Sequence, residues 1–240
     1  MATVFFSLFA AHAEPVAPEP ETGAALVQQI RSLQPEGDST VSGVLKIRSD
    51  KWSDDVPVTC KVVTTNDSWQ VSYETAATAK TGAEKFVVIH SLNSSNKYLY
   101  ARAENAKAPL PQLKNLSSHE IAIPLAGSDF WLSELAFDFL EWPQQEKLKG
   151  EMKLGQPCYV LESRNPQALK IARVKSWIHK ESGGVMVASA YDGDNRLIKE
   201  FSLAGSSFKK INGRRQLKQM KIGSPQSKSE TILEFDLPKD

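Results

Sequence analysis

The chain has 240 residues, 41% of them hydrophobic and 24% charged, enough apolar material for a real core and too much for a disordered chain. Lysine and arginine total 29 against 28 acidic residues, and the resulting net charge of +1 supplies no general pull toward nucleic acid or an acidic membrane. With only two cysteines, Cys60 and Cys158, a disulfide-dense scaffold and a four-cysteine zinc site are both excluded.

Residues 1–13 are an apolar run without acidic or basic side chains other than His12, and they end in the small-x-small tripeptide Ala11-His12-Ala13. This is the pattern of a cleaved secretory signal peptide. Its roughly ten apolar residues fall short of the roughly 20 that span a bilayer, so a soluble exported protein is expected rather than a transmembrane one. Residues 14–21 are acidic and rich in proline, a composition that predicts an extended, solvated tether. Residues 22–240 are expected to form a single domain.

That domain opens with a helix. Leu26, Val27, Ile30 and Leu33 recur at helical spacing, Thr22 is placed to cap the start, and Pro35 with Gly37 closes the element. From Val41 the hydrophobic period falls to two. Strands are predicted at 41–49, 56–65, 68–75, 85–92 and 97–102, and after a long interruption at 157–163, 173–179, 185–191, 196–203, 206–211, 215–222 and 230–237. In the last of these, Thr231, Leu233, Phe235 and Leu237 face one way while Ile232, Glu234 and Asp236 face the other. No repeat of 20 to 50 residues recurs, which disfavours a propeller or solenoid.

The interruption carries a second predicted helix at 130–140, with Ser128 and Asp129 as cap candidates and Pro143 as its stop. Glu134, Asp138 and Glu141 share one stripe, and almost everything else is apolar. Such a surface must press against a sheet, a ligand or a lipid. Pro109, Pro111 and Pro124 mark long loops around it that could form a movable lid.

Catalytic signatures are missing: there is no Gly-x-Ser-x-Gly, His-Glu-x-x-His, phosphate loop or Gly-x-Gly-x-x-Gly. No enzyme activity, metal or cofactor is expected. His90 alternates with Phe86, Val88 and Leu92 and is read as a residue in or at the edge of a core. Tyr191-Asp192-Gly193-Asp194-Asn195 lacks the length and terminal Glu of a calcium loop and reads as a hairpin turn. Cys60 and Cys158 are either two buried thiols or a disulfide, which spacing alone does not decide. The basic residues Lys209, Lys210, Arg214, Arg215, Lys218 and Lys221 lack aromatic interleaving and read as a wet strand face with a charged edge.

Several segments, taken in order, resemble the LolA-like outer-membrane lipoprotein-sorting proteins, and within them the branch of an uncharacterised treponemal protein domain. They are Gly127-Ser128-Asp129-Phe130 with Glu134-Leu135, Cys158-Tyr159-Val160-Leu161-Glu162 and Val174-Lys175-Ser176-Trp177-Ile178-His179-Lys180. Ala190-Tyr191-Asp192-Gly193 with Leu197-Ile198-Lys199, and Thr231-Ile232-Leu233-Glu234-Phe235, complete the set. The resemblance implies a mainly β protein with a few helices: a half-open antiparallel β-barrel of about eleven strands, its concave face covered by helices. It also implies a periplasmic carrier, monomeric, for the acyl chains of lipids or lipoproteins, with envelope membrane proteins as further partners. The early-strand Arg-Pro segment of the classical carrier has no counterpart here. A non-transporting envelope sensor or protein-interaction module on the same fold is the alternative. The lining of an acyl-chain cavity is expected to come from Trp69, Tyr98, Tyr100, Phe130, Trp131, Leu135, Phe139, Trp177, Phe201 and Phe235. Alternation alone marks these as a buried face, whether of a core or of a cavity.

Overall fold

The computed structural model describes residues 19–92, 94–165, 167, 170–203, 207–211 and 214–238. The expected signal peptide at 1–13 and the tether up to residue 18 lie outside them, as do the side chains of Arg214 and Arg215. The end of the tether is held rather than solvated: Pro20 is buried, and Lys147 Nζ donates to its carbonyl at 2.5 Å.

The first helix, α1 (Gly23–Arg31), begins where Thr22 Oγ1 accepts from Ala25 N at 3.1 Å. It buries Leu26, Val27 and Ile30. A Cβ on Gly23 would lie 2.3 Å from the Gln145 carbonyl oxygen, so only glycine lets the helix start this close to the sheet.

The strands follow as β1 (Ser39–Ser49), β2 (Ser53–Thr64), β3 (Ser68–Thr75), β4 (Glu84–Ser91), β5 (Lys97–Arg102) and β6 (Lys114–Leu116). A cover segment intervenes, and then come β7 (Gln144–Lys153), β8 (Gln156–Arg164), β9 (Arg173–His179), β10 (Val185–Tyr191) and β11 (Leu197–Ser202). The last four are β12 (Phe208–Ile211), β13 (Arg214–Leu217), β14 (Gln219–Ser224) and β15 (Ser229–Phe235). Thirteen of them form one antiparallel sheet in the order β6-β5-β4-β3-β2-β1-β15-β14-β11-β10-β9-β8-β7, against about eleven expected; β12 and β13 make a separate hairpin. The segment expected as one strand at 215–222 therefore divides, its first part pairing with β12 and its second joining the sheet.

Among the described residues the sheet does not close on itself, and its two ends are β6 and β7. It is nevertheless strongly curled. Strands lie about 4.8 Å apart, so β4 and β7 would be roughly 50 Å apart on a flat sheet. Yet α1 packs against β7 and β8 while Arg31 at its end donates to the carbonyl of Ser94, in the β4–β5 turn, at 2.8 Å. The helix bridges the two sides of the opening.

Alternation sorts the sheet into two faces. On β1, Val41, Leu45 and Ile47 point into the main core, whereas Lys46 and Arg48 point out and pair with Glu234 and Asp55. A smaller cluster of Cys158, Val160, Trp177, Met186 and Val187 is separate from that core. Cys60 belongs to the main core and Cys158 to the smaller cluster, and both are free thiols. The Asp192–Asn195 segment is the β10–β11 turn, closed by Asp192 Oδ1 accepting from Asp194 N and Arg196 N.

The cover runs across the concave face. It contains a 3-10 turn (Leu125–Gly127), a short helix α2 (Leu132–Leu135) and a second 3-10 turn (Asp138–Glu141). The continuous helix expected at 130–140 is broken at Phe137, which sits in the left-handed region with φ 48°. The break lets Leu135, Phe139 and Leu140 all enter the core, although they do not lie on one helical stripe. Nor do Ser128 and Asp129 cap this helix. Glu134 holds its start by accepting from Trp131 N at 2.6 Å, while the Asp129 carboxylate takes the hydroxyls of Ser229 and Thr231 on β15.

Candidate functional site

Two apolar hollows lie beneath the cover. The larger, about 930 Å³ with its open mouth included, is walled by Ile30 and Leu33, by Trp69, Val71 and Tyr73 of β3, and by Leu135 and Leu140 of the cover. The smaller, about 470 Å³ on the same basis, lies between Phe137 and Phe139 of the cover and Ala188, Ala190 and Phe201 of the sheet. Two alanines in succession on the inner face of β10 leave room that bulkier residues would fill. The space enclosed within them is much smaller, about 100 Å³ and 40 Å³, so a long guest would enter only as the cover lifts.

Phe137 belongs to both walls. Its ring stands edge-on to Phe139 at 6.1 Å and to Phe201 at 5.9 Å. A bulky residue with positive φ is strained by about 1–3 kcal/mol and persists only where its surroundings fix it. Here that residue separates the two spaces.

Polar ties pin the cover to the sheet. Glu84 of β4, fully buried, accepts from Tyr100 Oη at 2.9 Å and from Ala126 N at 3.1 Å. Asp138 accepts from Tyr98 Oη at 2.7 Å and from Trp142 Nε1 at 2.9 Å. Glu141 pairs with Arg31 at 3.3 Å. Glu134 pairs with Lys199 at 3.4 Å, and Lys199 Nζ also donates to the Asp129 carbonyl at 2.8 Å and lies 3.5 Å from the centre of the Trp131 ring. Burial raises the carboxyl groups of Glu84, Glu134, Asp138 and Glu141 above their ordinary range, and it pushes Lys199 down to about 8. The acidic stripe read in the sequence is thus a row of buried fasteners.

The sequence candidates separate accordingly. Trp69 and Leu135 line the larger hollow; Phe139 and Phe201 line the smaller. Tyr98 holds the cover directly through its hydroxyl on Asp138, whereas the Tyr100 hydroxyl bonds Glu84 of β4, whose carboxylate takes the cover's Ala126 N–H. Phe130 and Phe235 are packed core. Trp131 lines a third, more polar cleft with His119 and Lys170. Trp177 lies apart: it alternates with the inward-facing Val174 and Ile178, joins the smaller cluster and donates Nε1 to Glu151 at 2.8 Å. Sequence reasoning missed Phe137, because no local signal marks a phenylalanine for positive φ. It also missed the alanines of β10, whose small size is what makes the space.

His90 sits at the rim of the larger hollow, stacked on Trp69 at 5.0 Å, with Nδ1 3.0 Å from Asn96 Oδ1. Burial pushes it from its ordinary 6.5 down to about 4, so the folded protein refuses a proton that the unfolded chain takes up. Stability from this group is complete above pH 6.5 and is lost as pH falls toward 4, by up to about 3 kcal/mol. His90→Gln removes the dependence. The unfolding free energies of the two proteins, measured in urea at pH 7 and pH 4.5, are expected to shift in the variant's favour at the lower pH; an unchanged difference contradicts the assignment.

Among the described residues no helix is long and apolar enough to cross a membrane, and no three His, Cys, Asp or Glu side chains group as metal ligands.

A family model described as "Uncharacterized protein" matches residues 67–239. No curated protein matches the chain. Among solved structures, a domain from Vibrio parahaemolyticus assigned to outer membrane lipoprotein sorting aligns with TM-score 0.68 at 19% identity, over 90% of each chain. A DUF1329 family protein from Desulfovibrio piger aligns at 0.67 and 17% identity, over 89% of this chain and 90% of that one. A LolA superfamily protein from Nitrosomonas europaea aligns at 0.60 and 15% identity, over 90% and 95%. At these identities the likeness is one of fold.

Proposed function

The chain belongs to the family of uncharacterised proteins whose model spans residues 67–239, and we propose that it is a periplasmic carrier for the acyl chains of lipids or lipoproteins. The observation that supports this reading is the pair of apolar hollows kept open beneath a cover whose own polar groups are paired. A cover that closed by apolar contact alone would collapse into the space below it. Ties at Glu84, Glu134, Asp138 and Glu141 hold it at a fixed height instead.

No catalytic group is required for this activity. Each buried methylene contributes about 0.8 kcal/mol, so ten methylenes contribute roughly 8 kcal/mol before the cost of ordering the chain. Entry and release need only the cover to lift, and the strain at Phe137 marks the point where its backbone can change. Export through residues 1–13 and a single domain from residue 22 onward are part of the same proposal.

Native mass spectrometry of the exported protein tests it. Co-purifying lipid, or uptake of an acylated peptide or palmitate, is expected. A protein that is consistently empty and takes up neither probe defeats the proposal. Crosslinking in cells separates it from an envelope sensor, which would hold one persistent protein partner instead of making transient contact with both membranes.

A further inference from the structure

The larger hollow is apolar over most of its wall, but one end carries Trp69, His90, Asn96 and the Arg31–Glu141 pair. The polar side chains just named have partners, with one exception. His90 and Asn96 bond each other, and Arg31 is engaged by Glu141 and the Ser94 carbonyl. The indole Nε1 of Trp69 is buried without a hydrogen-bond partner, in a side chain whose residue is 6% exposed. Of the buried unpartnered side-chain atoms among the described residues, it is the one that belongs to a residue lining either hollow. Buried donors are nearly always satisfied, and leaving one unmade is costly.

We propose that Trp69 Nε1 is the recognition point for the carbonyl oxygen of an ester-linked acyl chain, whose hydrocarbon tail runs from that end into the larger hollow. This rests on the carrier reading and names the polar group of its ligand. Trp69 and His90 face each other in register across β3 and β4, and their stacked rings hold the indole in place. The charges at this end cancel, since Arg31 already has its carboxylate. An uncharged acceptor therefore fits, and a free carboxylate finds no unpaired cation there. The indole N–H is a donor only, so it selects an acceptor and discriminates against plain hydrocarbon of equal length.

Protein with ¹⁵N-labelled tryptophan side chains gives one indole signal for each of its five tryptophans, and Trp69→Phe assigns the relevant one by its loss. Methyl palmitate and hexadecane, delivered from cyclodextrin, serve as probes. Methyl palmitate is expected to move the Trp69 signal downfield, and hexadecane to leave it near its free position. Trp69→Phe is expected to weaken methyl palmitate about fivefold more than it weakens hexadecane, the effect of one hydrogen bond over and above the lost wall area. If both probes bind wild-type protein equally and neither moves the signal, the recognition role is overturned while the carrier reading stands. If neither probe binds at all, both fail. A diacylglyceryl lipopeptide and a phosphatidylglycerol carry the same ester, and the one that reproduces the shift identifies the source of the chain.

Discussion

Lys199→Met is expected to lower the unfolding free energy by about 3 kcal/mol at pH 7, because removing one partner of a buried ion pair strands the other. Glu134 would keep only backbone N–H donors, those of Trp131 and of Glu134 itself, and the Asp129 carbonyl and the Trp131 ring would lose their cation. Exchanging both members, Lys199→Met with Glu134→Leu, is expected to recover much of that loss, since well-packed apolar residues often replace a buried pair at little cost. The pH dependence provides a second check. Burial already raises Glu134, and without Lys199 its folded-state value rises further. The folded variant then holds a proton that the unfolded chain releases above about 4.5, so the deficit is largest at neutral pH and shrinks on acidification. Urea titrations of the single and double variants at pH 7 and pH 5 measure both effects. A single variant as stable as wild type at pH 7 would show that the pair does not hold the cover.

Val71→Phe should abolish most acyl binding, lowering affinity at least tenfold, while unfolding free energy stays within about 1 kcal/mol of wild type. Val71 borders the larger hollow, where the added ring meets empty space. The control is Val88→Phe on the neighbouring strand, at a position fully buried in packed core, where overpacking costs about 1–3 kcal/mol. Methyl palmitate titration and thermal unfolding of the two variants distinguish a space kept for a guest from a packing defect. Unchanged binding in Val71→Phe contradicts the assignment of that hollow.

Much of the sheet was legible because its strands bury one face. Val41, Leu45 and Ile47 alternate with polar residues, and that period survives in the primary structure. The strands missed were β6 and β7, and these are the two edges of the sheet. An edge needs charges to discourage pairing with other chains, and β7 reads Gln-Gln-Glu-Lys-Leu-Lys-Gly-Glu-Met-Lys with no apolar period to detect. The cover was legible as apolar but not as broken. The turn at Phe137 is imposed from outside by the bonds that Asp138 makes with Tyr98, forty residues earlier in the chain, and with Trp142. For the same reason the aromatic residues near the site could be named but not sorted: Trp177 and Trp69 carry similar local patterns, and only the pairing of strands shows that one turns away from the hollow.

The pairing of β1 with β15, in the register Gly43 with Phe235, sets the order in which the molecule can be completed. The run from β1 to β6 joins only neighbours in sequence and can zip up as it emerges. The free side of β1 must then wait for nearly the whole of the remaining polypeptide, because β15 is the seam that joins this half to β14, β11 and the rest. Until that seam is sewn, seven residues of β1, Gly43 to Ser49, present an unpaired ladder. The final strand thus decides whether two half-sheets become one vessel, and truncation there should yield sticky, separable halves rather than a slightly weakened whole.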